Sequence, residues 1–188
     1  MDFLDGAGFF SLICLLIQCI LAWIFAGLFL VLAPGPSPWL LRWRLAFTGL
    51  GLGLGAVAAR FTWAQYHIVG ESVIQEGSVP ARLAYATYIG GKVAFLWFLL
   101  GGIAALRQRP WPQSTWLPPV LIAGGCAVGG AVPGVEWALL LQVPCVVAAS
   151  VLGWRHLQPR PGESREVGRP VVRGTLGAIA VVWLVYGV

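Results

Sequence analysis

The chain has 188 residues, of which 59% are hydrophobic and 10% are charged, and its mean hydropathy is +0.83. A water-soluble domain carries roughly 25% charged residues, so this composition excludes an ordinary soluble protein and indicates a surface that faces lipid. The formal net charge is +5, but the arginines lie in short connections between apolar runs. That placement indicates orientation in a membrane and not binding to nucleic acid.

Six apolar segments follow one another along the chain. They cover residues 8–33, 43–59, 83–106, 117–132, 135–154 and 171–188. A transmembrane helix needs about 20 apolar residues. The pattern therefore predicts an all-α, polytopic transmembrane helix bundle of about six spans, which forms one domain over residues 1–188. The first segment follows Asp2 and Asp5 without a basic residue, which predicts a permanent span and not a cleaved signal peptide.

The charged residues alternate between the two ends of the predicted spans. Arginines cluster in the connections after the first, third and fifth spans: Arg42, Arg44, Arg107, Arg109, Arg155, Arg160, Arg165 and Arg169. The opposite ends carry Asp2, Asp5, Glu71, Glu76 and Glu136 together with Arg60 and Arg82. Connections rich in Lys and Arg lie on the cytoplasmic side. We therefore predict a multi-pass protein of the cell inner (cytoplasmic) membrane with its N-terminus outside.

Glycines alternate at positions 49, 51, 53 and 55 within the second segment. A dinucleotide-binding fingerprint needs a strand before it and a helix that opens after it, whereas this run lies inside an apolar segment. Small residues spaced four apart instead let two membrane helices approach closely. We predict such contacts at the Gly49/Gly53 and Gly51/Gly55 pairs and at a similar pair in the fourth segment.

Residues that carry chemistry are sparse in the apolar segments. The four cysteines and two histidines are scattered along the chain, so we predict no metal site and no cofactor. No segment holds an aspartate or a Ser/His pair of the kind that intramembrane hydrolases use. We therefore predict that the chain is not an enzyme.

Lys92 is the only lysine and lies near the middle of the third segment. A charge at that depth costs at least ~2.5–3.5 kcal/mol unless it is solvated or paired, so such residues face the bundle interior or a wet cavity. Gln18 and Gln142 lie at comparable depth, and we expect Glu136 at the outer mouth to be the nearest counter-ion for the lysine. These four residues predict a polar layer that binds a ligand or couples it to a response. The alternative is a lysine that snorkels outward or has one structural partner.

The connection over residues 60–82 is the longest on the outer side. It contains Trp63, Tyr66, His67 and Glu71, with apolar residues at roughly helical spacing between them. This pattern predicts a helix that lies on the membrane as an outer cap. The cap either closes over the polar layer as a lid or is a structural element that binds nothing.

Two stretches resemble a known class of membrane region. One is FFSLICLLIQCILAWIFAGLFLVLA followed by PWLLRWRLAF, and the other is YIGGKVAFLWFLLGGIAAL followed by RQRP. They are similar to the N-terminal multi-span membrane sensor regions of bacterial histidine kinases and diguanylate cyclases, mainly over residues 9–110. The residues that match the pattern are Gln18, Trp43, Tyr88, Gly91, Lys92 and Gly101. The chain departs from those families in having no histidine phosphoacceptor, nucleotide-binding box or cyclase signature.

Three functions are consistent with these features. The resemblance implies a membrane signal-input domain, related to two-component signal transduction, that senses a lipid, a quinone or another small hydrophobic molecule. The alternative is a structural or accessory subunit of a larger membrane complex, with partner membrane subunits or a homodimer. A small transporter is a third reading, for which paired broken spans are the usual sign.

Overall fold

A computed structural model describes residues 6–31, 37–66, 77–108, 110–112 and 114–158, together with the single positions 174, 177 and 181. Within these ranges the chain is entirely helical apart from its connections, and it contains no strand. The five helices are α1 (Gly6–Val31), α2 (Pro38–Tyr66), α3 (Val79–Leu106), α4 (Leu117–Ala131) and α5 (Val135–His156). The prediction of an all-α fold is therefore confirmed for this part of the chain.

Three of these helices have the length and apolarity that a membrane span requires. The apolar stretches are Leu12–Val31, Pro38–Thr62 and Val79–Leu106. Helix α4 and the stretch Val146–Arg155 of α5 are apolar but shorter. The described residues thus support a membrane protein with three candidate spans, where the sequence analysis predicted six. All but three positions of the predicted sixth span, residues 171–188, lie outside the described residues.

The boundaries of α2 differ most from the prediction over residues 43–59. The helix begins at Pro38 and continues to Tyr66, so Arg42, Arg44 and Arg60 lie inside it and not in loops. A hydropathy pattern ends where the apolar run ends, but an α-helix satisfies its own backbone hydrogen bonds and can continue through the polar interface. Arginine is also a good helix former, so nothing in these flanks stops the helix.

Helix α3 begins at Val79, four residues before the predicted start at position 83, because Ser78 caps it. The Ser78 side chain accepts a hydrogen bond from the backbone N–H of Ala81 at 3.4 Å, and Pro80 follows in the first turn. A serine cap satisfies one of the free N–H groups of the first turn. Proline is tolerated there because its missing N–H has no helical partner at that position.

Consecutive helices from α1 to α4 pack against one another in antiparallel pairs. The rings of Phe29 and Trp43 meet with centroids 5.5 Å apart between α1 and α2. The indole N–H of Trp43 in turn donates to the carbonyl of Leu99 at 3.3 Å and joins the start of α2 to the late turns of α3. Helix α3 is the centre of the bundle, since it contacts α2, α4 and α5.

The alternating glycines of α2 serve two helix contacts at once. A Cβ at Gly49 would lie 3.0 Å from the Cβ of Ala94, and a Cβ at Gly53 would lie 3.1 Å from the carbonyl oxygen of Tyr88, both on α3. On the other face, a Cβ at Gly51 would lie 2.9 Å from the indole of Trp23 on α1. The packing role predicted for these glycines is therefore confirmed, and it explains why glycine is retained in a helix where it costs about 1 kcal/mol per residue relative to alanine.

Candidate functional site

Lys92 occupies the midpoint of α3, the fourteenth of its 28 residues. At 1.5 Å per residue each end of the helix is about 20 Å away along the axis. Its ammonium group donates a hydrogen bond of 2.6 Å to the hydroxyl of Tyr88 and lies 4.2 Å from the centroid of that ring. Tyr88 precedes Lys92 by one helical turn and is buried. A hydroxyl acceptor and an aromatic face both stabilise a cation that has been taken out of water.

A cavity of about 220 Å³ opens beside Lys92, between α1, α2, α3 and α5. Among the described residues of its lining, Lys92, Gln18 and Ser150 have polar side chains. The rest is apolar and comes mainly from α3, with Phe95, Leu96, Leu99, Leu100 and Ile103. The volume is below the roughly 300–1,000 Å³ of sites for drug-sized ligands. The space therefore fits a small molecule or one end of a longer one.

Lys92 lies at one end of the cavity, and Ser150 lies toward the other end, where the adjacent Ala149 packs with Leu100 and Ile103. Lys92 and Ile103 are eleven residues apart on α3, which corresponds to about 16 Å along the axis. The lining therefore runs from the middle of α3 toward its C-terminal end, with the ammonium group at the midpoint. On the α5 side Ala149 and Gly153 have small side chains or none, and this leaves the space open.

Gln18 lies near the level of Lys92, because the next residue of α1, Cys19, forms a hydrogen bond with α2. The thiol of Cys19 donates to the carbonyl of Gly51 at 3.6 Å, and the neighbouring Leu50 lines the same cavity as Gln18. Gln18 is itself an exposed residue, so the cavity is open beside α1. The structure thus brings together two of the four residues of the predicted polar layer.

The remaining predicted site residues can be placed only in part. Gln142 and Glu136 lie on α5, but their side chains are outside the described residues. Trp63 and Tyr66 belong to the last turns of α2, also without described side chains, and His67 and Glu71 lie in the undescribed stretch 67–76. The predicted outer-cap helix is corrected at its ends, because residues 60–66 continue α2 and residues 79–82 begin α3.

The sequence analysis missed the roles of two residues at this site. Ser150 is the first, a lone hydroxyl in an apolar run with nothing local to show which way it points. The second role missed is that of Tyr88 as the hydrogen-bond acceptor for Lys92. A tyrosine four residues before a buried lysine is on the same helix face, so this spacing was a usable signal.

A second buried cation lies farther along the α2–α3 contact. Arg60 is 8% exposed, and its guanidinium carbon lies 4.8 Å from the ring centroid of Tyr85 and 5.0 Å from that of Phe61. The sequence analysis placed Arg60 in an outer loop, and the structure corrects this to a packed position inside α2. Arginine disperses its charge over a planar group that stacks on aromatic rings, so the contact with Tyr85 stabilises the α2–α3 pair.

No protein-family model, curated protein or solved structure matches the chain. Function is therefore inferred from the residues and geometry of the described helices.

Proposed function

We propose that the chain is a multi-pass protein of the bacterial cytoplasmic membrane whose helix bundle is a signal-input domain, and that it binds a small hydrophobic molecule beside Lys92. The observation that supports this best is the shared cavity of Gln18 and Lys92, which is otherwise mostly apolar. Small-molecule sites typically combine an apolar lining with a few convergent polar groups. The resemblance to bacterial sensor regions supports the same proposal, and no catalysis by this chain is part of it.

The proposed topology has six spans, with residues 171–188 as the sixth and the N-terminus outside. The positive-inside rule supports it. Arg42 and Arg44 near the start of α2, Arg107 after α3 and Arg155 at the end of α5 share one end of the bundle. Cytoplasmic placement of that end follows from this excess of arginine.

Helix α5 is the proposed moving element. Within the described residues it packs against α3 less extensively than α2 and α4 do. Pro144 also lies inside α5 and has no backbone N–H to donate to the helical hydrogen bonds. A ligand changes the output only if it binds two states of the bundle with different affinity. A molecule in the cavity contacts α3 and α5 together, so its binding favours one spacing of these helices over another.

The ligand-binding part of the proposal is tested by filling the cavity. Ala149 lines it and is 8% exposed, whereas the adjacent Ala148 is exposed. The wild type, Ala149→Leu and Ala148→Leu are purified in mild detergent from native membranes, and lipid-soluble molecules retained by each are quantified by mass spectrometry. We expect one compound class on the wild type and on Ala148→Leu, reduced about tenfold on Ala149→Leu.

Equal retention by all three proteins, or no retained compound on the wild type, contradicts ligand binding at this cavity. Circular dichroism and gel filtration establish that the variants fold. If Ala149→Leu does not fold, Lys92→Met takes its place, because methionine has a similar shape without the charge.

The signal-input role is tested separately by the mass of the protein in its own membranes, using an antibody against residues 60–82. A species much heavier than 20.1 kDa that carries a kinase or cyclase activity supports the role. A species of that mass, with ligand retention unchanged, favours the accessory-subunit function instead.

One observation favours that second candidate, a subunit that contacts a partner membrane protein or a second copy. Helix α4 exposes Ala123, Gly124, Ala127 and Ala131 along one side, a spacing that lets another helix approach. Ala127→Trp is expected to disrupt such an assembly, whereas Leu152→Trp on the exposed side of α5 leaves it intact. Light scattering in detergent measures the assembled mass, and an unchanged mass for Ala127→Trp argues against a contact there.

A further inference from the structure

A second cavity, of about 140 Å³, lies at the basic end of the bundle and is separate from the one beside Lys92. Arg42, Trp97, Phe98, Gly101, Trp111 and Ser114 line it. These residues come from the early part of α2, the late turns of α3 and the connection to α4. The site therefore sits where the helices leave the apolar part of the bundle.

Arg42 is anchored so that its guanidinium group is held at this cavity. One of its terminal nitrogens donates to the carbonyl oxygen of Gly101 at 2.6 Å, and the residue is half-buried. An arginine side chain has five N–H donors in a fixed planar fork. The Gly101 contact orients the fork while leaving most of these donors for another acceptor.

Aromatic rings form the walls of the cavity. Trp97 and Trp111 meet with ring centroids 5.0 Å apart and planes inclined by 58°. A Cβ at Gly101 would lie 2.9 Å from the indole nitrogen of Trp111, so glycine is what lets this indole close over α3. Tryptophan is enriched at the headgroup level of membranes, where its apolar ring and polar N–H both find partners.

The local charge favours an anion. Arg44 and Arg107 lie within a few residues of the lining, and neither residues 34–44 nor the connection 107–116 contains an aspartate or glutamate. Basic pockets between membrane helices on the cytoplasmic side are suited to anionic headgroups. A planar guanidinium is also the side chain whose geometry best matches phosphate oxygens.

We propose that this cavity binds the negatively charged phosphate in the headgroup of an anionic phospholipid. Arg42 donates hydrogen bonds to the phosphate oxygens, and Trp97 and Trp111 pack against the glycerol and the first acyl carbons. The small volume admits a headgroup but not the acyl chains, which remain in the surrounding lipid. This inference does not rest on the ligand-binding role of the cavity beside Lys92.

The chain offers a matched pair of variants for the test. Arg42→Gln and Arg44→Gln remove the same charge at the same end of the bundle, but Arg44 is exposed and does not line the cavity. The purified full chain is titrated in detergent with phosphatidylglycerol or with zwitterionic phosphatidylcholine, and bound lipid is counted by native mass spectrometry. A third titration adds inorganic phosphate to the phosphatidylglycerol complex.

We expect the wild type to prefer phosphatidylglycerol, Arg42→Gln to weaken its binding about tenfold, and Arg44→Gln to change it less than about twofold. Displacement of the lipid by millimolar inorganic phosphate would assign the site to a free phosphate, and retention would assign it to the headgroup. Equal losses in the two variants, or no preference over phosphatidylcholine, overturn the proposal. If Arg42→Gln does not fold, Arg42→Lys against Arg44→Lys keeps the charge and tests the planar fork alone.

Discussion

Lys92 and Tyr88 show how a single charge is accommodated at the middle of a candidate membrane span. The two side chains lie one turn apart on α3 and share a hydrogen bond and a cation–π contact. The hydroxyl is a neutral acceptor, so it stabilises the ammonium group without cancelling its charge. The sequence predicted the depth of Lys92, but the contact with Tyr88 depends on side-chain geometry.

The Lys92–Tyr88 contact leads to a prediction for a double-mutant cycle. Lys92→Met and Tyr88→Phe each leave one buried polar partner behind, whereas the double variant removes both. We expect a coupling energy of about 1–3 kcal/mol in apparent unfolding free energy, measured by denaturation in detergent. Strictly additive effects would mean that the two side chains do not stabilise each other.

Gly91 is a position where the backbones of α2 and α3 approach closely. A Cβ there would lie 3.0 Å from the Cα of Gly53 and would meet the carbonyl oxygen of Gly49, both backbone atoms of α2. Backbone cannot move aside like a side chain, so the helices would have to separate.

We predict that Gly91→Ala destabilises the bundle by about 1–3 kcal/mol. Gly27 on α1 is the matched control, because a Cβ there would meet nothing within 4 Å, and Gly27→Ala is expected to stabilise by roughly 0.5–1 kcal/mol. Tryptophan fluorescence during thermal unfolding measures the stability of both variants. A Gly91→Ala protein as stable as the wild type would contradict the close approach.

The elements differ in how well their boundaries follow from sequence. The predicted spans 117–132 and 135–154 match α4 and α5 to within two residues at each end, because Pro133 and Gly134 mark the turn between them. Helix α2 extends well beyond its prediction at both ends, since arginine and aromatic residues at an interface are compatible with a helix. Apolar length therefore predicts that a helix exists, and caps decide where it stops.

Ser78 gives a prediction at the scale of the element. Ser78→Ala removes the side-chain acceptor for the N–H of Ala81, and we expect a loss of about 1 kcal/mol in unfolding free energy. Thr115→Ala, an exposed position before α4, is the control and should change stability by less than about 0.5 kcal/mol. If the two changes shift the thermal midpoint by similar amounts, the Ser78 cap does not stabilise the start of α3.

For the whole molecule, the proposed topology predicts the side from which each connection can be labelled. In a background with Cys14, Cys19, Cys126 and Cys145 replaced, Val79→Cys marks the start of α3 and Ser114→Cys marks the connection to α4. Both positions are exposed. A membrane-impermeant maleimide should label position 79 from outside and position 114 only in inverted vesicles. Labelling of both from the same side would rule out the proposed arrangement of α3.

The sequence by itself determined that the described chain is helical and apolar enough for a membrane, because helix formation and hydrophobicity depend on residues close together in the chain. It also placed Gln18 and Lys92 at similar depth. Only the tertiary structure decided that they line one cavity and that Arg42 meets Gly101, because depth along an axis leaves the rotation of each helix undetermined. That rotation is set by the glycine contacts between neighbouring helices, which require a partner surface distant in the sequence.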